Sequence, residues 1–483
     1  MKSAVRISGT IISKTCFPLL IGSNSDNNKQ NLLFAALLWA DILVLYALFE
    51  MQDYLTEVWG LSFTHAAGIL NVWNGISLVL QPLFLFAVST FLGNFYMLVI
   101  SSSSYTLGIW LLFMSAPPVL ANATGTCKQY EQECISKTHK ALLYTGMALI
   151  AVGVAGNNVS VLSYLREQPD NKSRGAVIGC LKIPGMAMVA IVGLAGAIAL
   201  PYIKPWTYRF GIPAVCTTIA GIAFLTGLCF CTFDFPDPNR KRIENLGRMF
   251  SLRMLPMWLT FLVCGIISST GNTYFVEQAK NLDRHLGSWE VPTQVLLLAQ
   301  TYLGMLLAYL VYVFLNGHGV VKAKILGVLC CIAAAGVERK RLGVVRSKGL
   351  LDKQEDDVPM SVYWLLFQFV LLGGMDKLLE KSVAEFDEEG IAAREGNEPD
   401  PNELKRLCME IFSKGVCGLG FMCGVLLVYV AGKISAKGDE PNWFQFSLNR
   451  SHLDRYYWVL AVLSSLSLFL YVVVRQCCCC LGR

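Results

Sequence analysis

The residues best placed to do chemistry are polar side chains inside apolar runs. Asp41 lies in LLWADILVLYALFE (37–50), Lys182 in GCLKIPG (179–185), and Asp376 with Lys377 in GGMDKL (373–378). At the centre of a bilayer, such a charge costs about 2.5–3.5 kcal/mol. A carboxylate there can carry a proton, pair with a cation or line a polar cavity. Asp41, about nine residues into its run, either lines a cavity or makes a structural hydrogen bond. Lys182 either snorkels its ammonium to water or contacts an anion or substrate. Asp376 can form a structural or gating ion pair with Lys377, Lys381 or Lys182, or touch substrate directly. Asn158 and Asn272 also sit in apolar runs. Their amides can donate to an anion or pair between helices.

Enzyme chemistry finds no footing. The five histidines (His65, His139, His285, His318 and His452) fall in or beside loops, with no cysteine or carboxylate at metal or triad spacing. No glycine-rich phosphate cradle ends in Lys-Ser/Thr. No enzyme activity, metal or cofactor is expected.

The elements that must hold these residues are membrane helices. The chain has 483 residues, 54% of them hydrophobic and only 15% charged, against about 25% charged in a soluble protein. Apolar segments fall near 32–52, 64–88, 95–117, 141–163, 176–200 and 210–232, then near 256–276, 291–315, 319–337, 359–379, 411–431 and 457–474. Each reads as a helix, because an open strand in lipid would leave backbone groups unpaired. The ninth is short, and the tenth carries Asp376 and Lys377. The expected fold is all-α and polytopic, about twelve transmembrane helices in two six-helix bundles. Expected boundaries are a cytosolic tail (1–30), a first bundle (31–233), a cytosolic linker (234–255), a second bundle (256–476) and a Cys-rich tail (477–483). The linker carries Arg240, Lys241, Arg242, Arg248 and Arg253, which the positive-inside rule keeps in the cytosol. Residues 1–30 have no apolar core of a cleavable signal. The net charge of +6 reflects loop orientation and gives no reason to expect a nucleic-acid partner.

Smaller signals complete the pattern. GVAG (153–156) and GLAGA (193–197) let helices approach closely. Most of the 17 cysteines lie in apolar runs as small hydrophobes. Cys127 and Cys134, in a polar loop, can form a disulfide if that loop faces an oxidising compartment. Cys477, Cys478, Cys479 and Cys480 follow the last span, a place suited to palmitoylation, or form an inert tail. Glu50 and Asp53 read as a solvated helix end, Glu277 and Gln278 as packing and capping, and Arg339 and Arg341 as interfacial anchors.

Several longer stretches carry a resemblance. They are YLTEVWGLSFTHAAGILNVWNG (54–75), LRMLPMW (252–258), GNTYFVEQA (271–279), AAAGVERKRL (333–342), PMSVYWLLFQFVLLGGMDKL (359–378) and NWFQFSLNRSHLDRYYWVLAVLSSLSLFLYVV (442–473). Together they run from the first helix to the last. The chain resembles the plant nitrate/peptide transporters, part of the proton-dependent oligopeptide transporter family of the major facilitator superfamily, and most of all plant subfamily five. The resemblance implies two helical halves that rock about a midplane site. It also implies a substrate that is nitrate or another small anion, a short peptide, or a plant metabolite or hormone.

The chain departs from that family where protons are coupled. Relatives open helix 1 with an E-x-x-E-R pattern, and those positions here are Leu37, Ala40 and Asp41. A lysine that relatives keep in helix 4 is Asn158, while its helix 10 glutamate partner aligns with Asp376. The reading is a transporter of nitrate or a related anion with weak or lost proton coupling. Asp41, Asn158, Lys182 and Asn272 would contact substrate, and Asp376 with Lys182 would form a gate or ion pair. The expected partners are the substrate, the lipid bilayer and, if coupling survives, protons. The expected location is the plasma or vacuolar membrane. A decayed, non-transporting paralogue or assembly partner is the rival, motivated by the missing triad and the short ninth span.

Overall fold

The structure is a computed structural model. It describes residues 47–167, 205–228, 255–353, 357–391, 402–437 and 441–481, with isolated positions at 44, 199, 202 and 203. Asp41, Lys182 and the 234–253 basic segment lie outside the described residues. Nine helices among them are long and apolar enough to cross a membrane, and the only strands are two short pairs. The chain divides into two compact units, one of residues 1–61 with 80–243, the other of 62–79 with 244–483.

In the first unit, α1 (Met51–Asp53) runs into a wider π turn, Tyr54–Val58. The last part of α2 (Phe63–Ala87) leads to α3 (Gly93–Met114), and α4 (Pro117–Thr124) ends on left-handed Gly125. Beyond it, Cys127 and Cys134 are joined as a disulfide with Cα atoms 4.9 Å apart. The long α5 (Lys137–Glu167) packs along α3. Glycine permits this approach: a Cβ on Gly108 would lie 2.8 Å from the Gly146 carbonyl oxygen, and one on Gly146 2.8 Å from that of Gly108. Gly153 and Gly156 of GVAG meet Tyr105 and Ser101 in the same way, so this glycine motif serves close packing. The opposite flank of α3 holds α6 (Trp206–Leu228), where Trp110 Nε1 donates to Thr218 Oγ1 at 2.8 Å.

The second unit is built around one broken helix. Its halves are α7 (Leu255–Gly271) and α8 (Tyr274–Lys280). Of the best apolar window in Trp258–Lys280, 89% is buried, against 28% for α9 (Thr293–Phe314). The broken helix is therefore the core, and α9 faces outward. Around it stand α10 (Gly319–Ser347), α11 (Leu366–Ile391), α12 (Asn402–Ser435) and α13 (Leu453–Leu481). Glycines again set the crossings, with Gly265 against Gly420, Gly304 against Gly373, and Gly75 of α2 against Gly418. At one end of the unit, β1 (Leu282–Asp283) pairs in parallel with β4 (Val358–Ser361), and β2 (His285–Leu286) turns onto β3 (Trp289–Glu290) through left-handed Gly287.

Two expectations change. The ninth span is not short: α10 holds 29 residues and is about 43 Å long at 1.5 Å per residue. Its charged half, VERKRLGVVRS, stays helical because its most buried charges are neutralised within the protein. The other concerns form alone: α13 continues helically through Cys477–Cys480, which leaves palmitoylation or an inert tail equally open.

Candidate functional site

The break in the central helix follows from its sequence, SSTGNT (268–273). Hydroxyls there bond back onto the helix: Ser269 Oγ donates to the Ile266 carbonyl at 2.7 Å, Thr270 Oγ1 to Ile267 at 2.7 Å, and Thr273 Oγ1 to Ser269 at 2.8 Å. Such bonds compete with the helical ladder and bend it. Gly271 ends α7, and Thr273 leaves helical geometry at φ −126°, ψ −80° before α8 begins. Asn272 stands in the gap, 8% exposed, and neither its amide nitrogen nor its oxygen has a hydrogen-bond partner.

Cys264 and Ser268, four residues apart, share one face of α7, and Asn272 follows them in the break. Ser268 Oγ donates to Asp376 Oδ1 of α11 at 2.5 Å, with Asp376 4% exposed. Cys264 is within electrostatic reach of both Asp376 and Lys324 of α10. Lys324 is almost fully buried and donates to Ser467 Oγ of α13. On α9, the buried Gln300 lies against Gly373, with neither side-chain amide atom partnered. This layer therefore combines one carboxylate, one ammonium and two amides with unmet hydrogen bonds. It could hold a small polar solute by charge and by donated hydrogen bonds.

The sequence-predicted residues separate accordingly. Asn272 and Asp376 fall in this layer, one helical turn apart through Ser268. The lysines on the helix of Asp376 turn elsewhere: Lys377 pairs with Glu380 at 3.0 Å, and Lys381 sits over the Tyr312 ring. Asn158 belongs to the first unit, on α5, 8% exposed and with its amide nitrogen unpartnered. The side chains of Cys477 to Cys480 lie outside what is described. Lys324, Ser268 and Gln300 are absent from the sequence-predicted set. The only available signal for Lys324 was its place in GVVKAKILGVL (319–329), where it passes for part of a charged helix start.

A second polar cluster lies farther along the same helices. Arg341 donates through Nε and Nη2 to Glu338 at 2.8 and 2.7 Å, through Nη1 to Asn449 at 2.7 Å, and through Nη2 to the Leu448 carbonyl at 3.0 Å. Gln278 Nε2 donates to Glu338 at 2.6 Å, Gln368 Nε2 to Gln278 at 3.0 Å, and Asn449 Nδ2 to the Leu350 carbonyl at 3.1 Å. Arg341 is thus no interfacial anchor: it is 1% exposed and all three of its guanidinium nitrogens donate, whereas Arg339 is exposed. Gln278 works in this cluster, while Glu277 meets Lys280 at 3.4 Å. Glu50 is likewise no solvated helix end, since it is buried against Arg209 at 2.9 Å, whose guanidinium also covers Trp206.

No family model matches the chain. It is 29% identical to Protein NRT1/PTR FAMILY 5.5 of Arabidopsis thaliana, over 91% of this chain and 95% of the relative, and 25% identical to Protein NRT1/PTR FAMILY 5.12 of the same plant, over 88% and 87%. In fold it is similar to a POT family transporter in complex with a thioalcohol-conjugated peptide (TM-score 0.64, 10% identity, 97% of this chain and 99% of that one). An auto-inhibited POT family peptide transporter is also similar (TM-score 0.60, 15% identity, 91% and 96%). The resemblance read from the sequence and the all-α, polytopic fold both hold, and the solved structures of like fold are transporters. Along its length the chain is similar to NRT1/PTR proteins of Arabidopsis thaliana, and its fold, all-helical and multi-pass, is that of POT family transporters.

Proposed function

We propose that the protein carries nitrate or a related small anion by alternating access between two halves, residues 31–233 and 256–476, joined by a cytosolic linker at 234–255. The observation that carries the substrate reading is Asn272. A buried amide with no partner, at a break in the most buried helix of its unit, is a donor awaiting an acceptor. Discontinuous membrane helices are where transporters commonly build their sites. Asn158, with an unpartnered amide nitrogen, supplies a donor of the same kind. Asp41 and Lys182 complete the proposed contact set, and Asp376 with Lys182 forms the gate. Plasma or vacuolar membrane is the proposed location.

Proton coupling is weak or lost in this reading. Where relatives place E-x-x-E-R, this chain has Leu37, Ala40 and Asp41, and Asn158 replaces a lysine. Labelled nitrate uptake into proteoliposomes should exceed that of empty vesicles and survive collapse of the proton gradient at fixed membrane potential. A strict gradient requirement that disappears in Asp41→Asn would return coupling to that aspartate. The Asp376 carboxylate favours a second reading, a substrate bearing an amine such as a short peptide. Peptide flux without nitrate flux would select it. The non-transporting alternative loses one of its two grounds, because α10 is a full-length helix.

A further inference from the structure

We propose that Lys322, Lys381 and the start of α10 form a binding site for the phosphate headgroup of an anionic phospholipid. The site lies at the junction of three helices: Tyr312 near the end of α9, Lys322 in the first turn of α10, and Lys381 on α11. Both ammonium groups face the same Tyr312 ring, at 5.5 and 2.9 Å from its centroid. An aromatic face attracts one cation, but it cannot neutralise two that repel each other. Among the described residues neither lysine meets a carboxylate. Glu380, next to Lys381 in the sequence, pairs with Lys377 at 3.0 Å.

Burial makes the imbalance costly. Lys322 is only 9% exposed, and a buried charge without an opposite partner is unfavourable. The start of α10 adds to the same field. The first N–H groups of a helix carry partial positive charge. The ligand that fits is an anion. The surroundings choose its carrier: Tyr309, Val313 and Phe314 of the same helix end are exposed apolar side chains, placed to lie along acyl chains. A basic pocket between membrane helices beside an apolar flank is the setting in which anionic headgroups bind.

The test is titration of the purified full chain by native mass spectrometry with phosphatidylglycerol, phosphatidylcholine or inorganic phosphate. Phosphatidylglycerol should bind with clear preference. Lys381→Gln should weaken it about fivefold and the Lys322→Gln/Lys381→Gln pair about 25-fold, at roughly fivefold per lysine. Arginine at both positions should preserve binding. Equal affinity for phosphatidylcholine, or an unchanged constant in the double variant, would overturn the proposal. Displacement of the lipid by an equal concentration of inorganic phosphate would also overturn it, by making this a free-anion site. Thermal unfolding in phosphatidylcholine alone identifies any double variant that misfolds. The exposed Lys381→Gln single variant then decides the question. None of these readouts depends on transport, so failure here leaves the nitrate reading untouched.

Discussion

Two polar clusters on the same helices are built in opposite ways. Around Arg341 the guanidinium, the Glu338 carboxylate and the Asn449 amide are satisfied by one another and by backbone carbonyls, with the Gln368 Oε1 at the cluster's edge left unpartnered. In the layer of Asn272 and Gln300, two amides are buried with no partner at all. Burying an amide without a hydrogen bond costs roughly 1–3 kcal/mol, so a fold that only needed stability would have filled the second layer with apolar side chains. The closed cluster holds helices together, and in the proposed reading the open one keeps its hydrogen-bonding capacity for a solute that comes and goes.

That contrast breaks most visibly at Arg341. Arg341→Met leaves Glu338 buried without its cation and should cost about 3–5 kcal/mol, read as a large fall in unfolding temperature or failure to accumulate. The pair Glu338→Leu/Arg341→Met should recover much of that loss, since removing both charges also removes the desolvation penalty. Asn272→Leu should do the reverse of Arg341→Met. Stability should hold within about 1 kcal/mol or rise, because an unmet amide disappears, while uptake of the transported solute collapses. Equal loss of stability at Asn272 and Arg341 would erase the distinction.

The smallest effect belongs at the surface. Asp283 is exposed, and the His285 backbone N–H and ring hold its carboxyl below its ordinary value of 3.8. Its contribution is therefore present above that value and fades as pH falls through the lowered one. Asp283→Asn should leave the unfolding temperature at pH 7 without a resolvable change, and the two proteins should converge further on acidification.

The apolar runs made the membrane class and the helix order legible, because lipid allows a spanning chain few other solutions. Asn272 and Asp376 were legible as polar residues out of place. Arg341 was not, because a basic residue beside Arg339 and Lys340 at the end of an apolar run looks like an ordinary interfacial anchor. Only the folded chain brings Gln278, from some sixty positions earlier, and Asn449, from more than a hundred later, onto Glu338 and Arg341. The span limit at residue 337 failed for the same reason: a hydropathy reading stops where charges begin and cannot see them cancel. Lys324 was hidden by Lys322, two residues away, which gave both the look of a helix start.

The length of α10 also bears on how the chain enters the membrane during synthesis. Under the proposed orientation, its last three turns and the residue after them carry Arg339, Lys340, Arg341, Arg346 and Lys348 to the non-cytosolic side, against the usual preference for basic residues. Glu338 and Arg341 are three residues apart on one helix, so they can neutralise each other while that helix is still alone. Asn449, which completes the fork, is made more than a hundred residues later, just ahead of the final helix. Insertion of α10 thus begins with a charge cancelled locally, and its orientation is locked only when the end of the chain arrives.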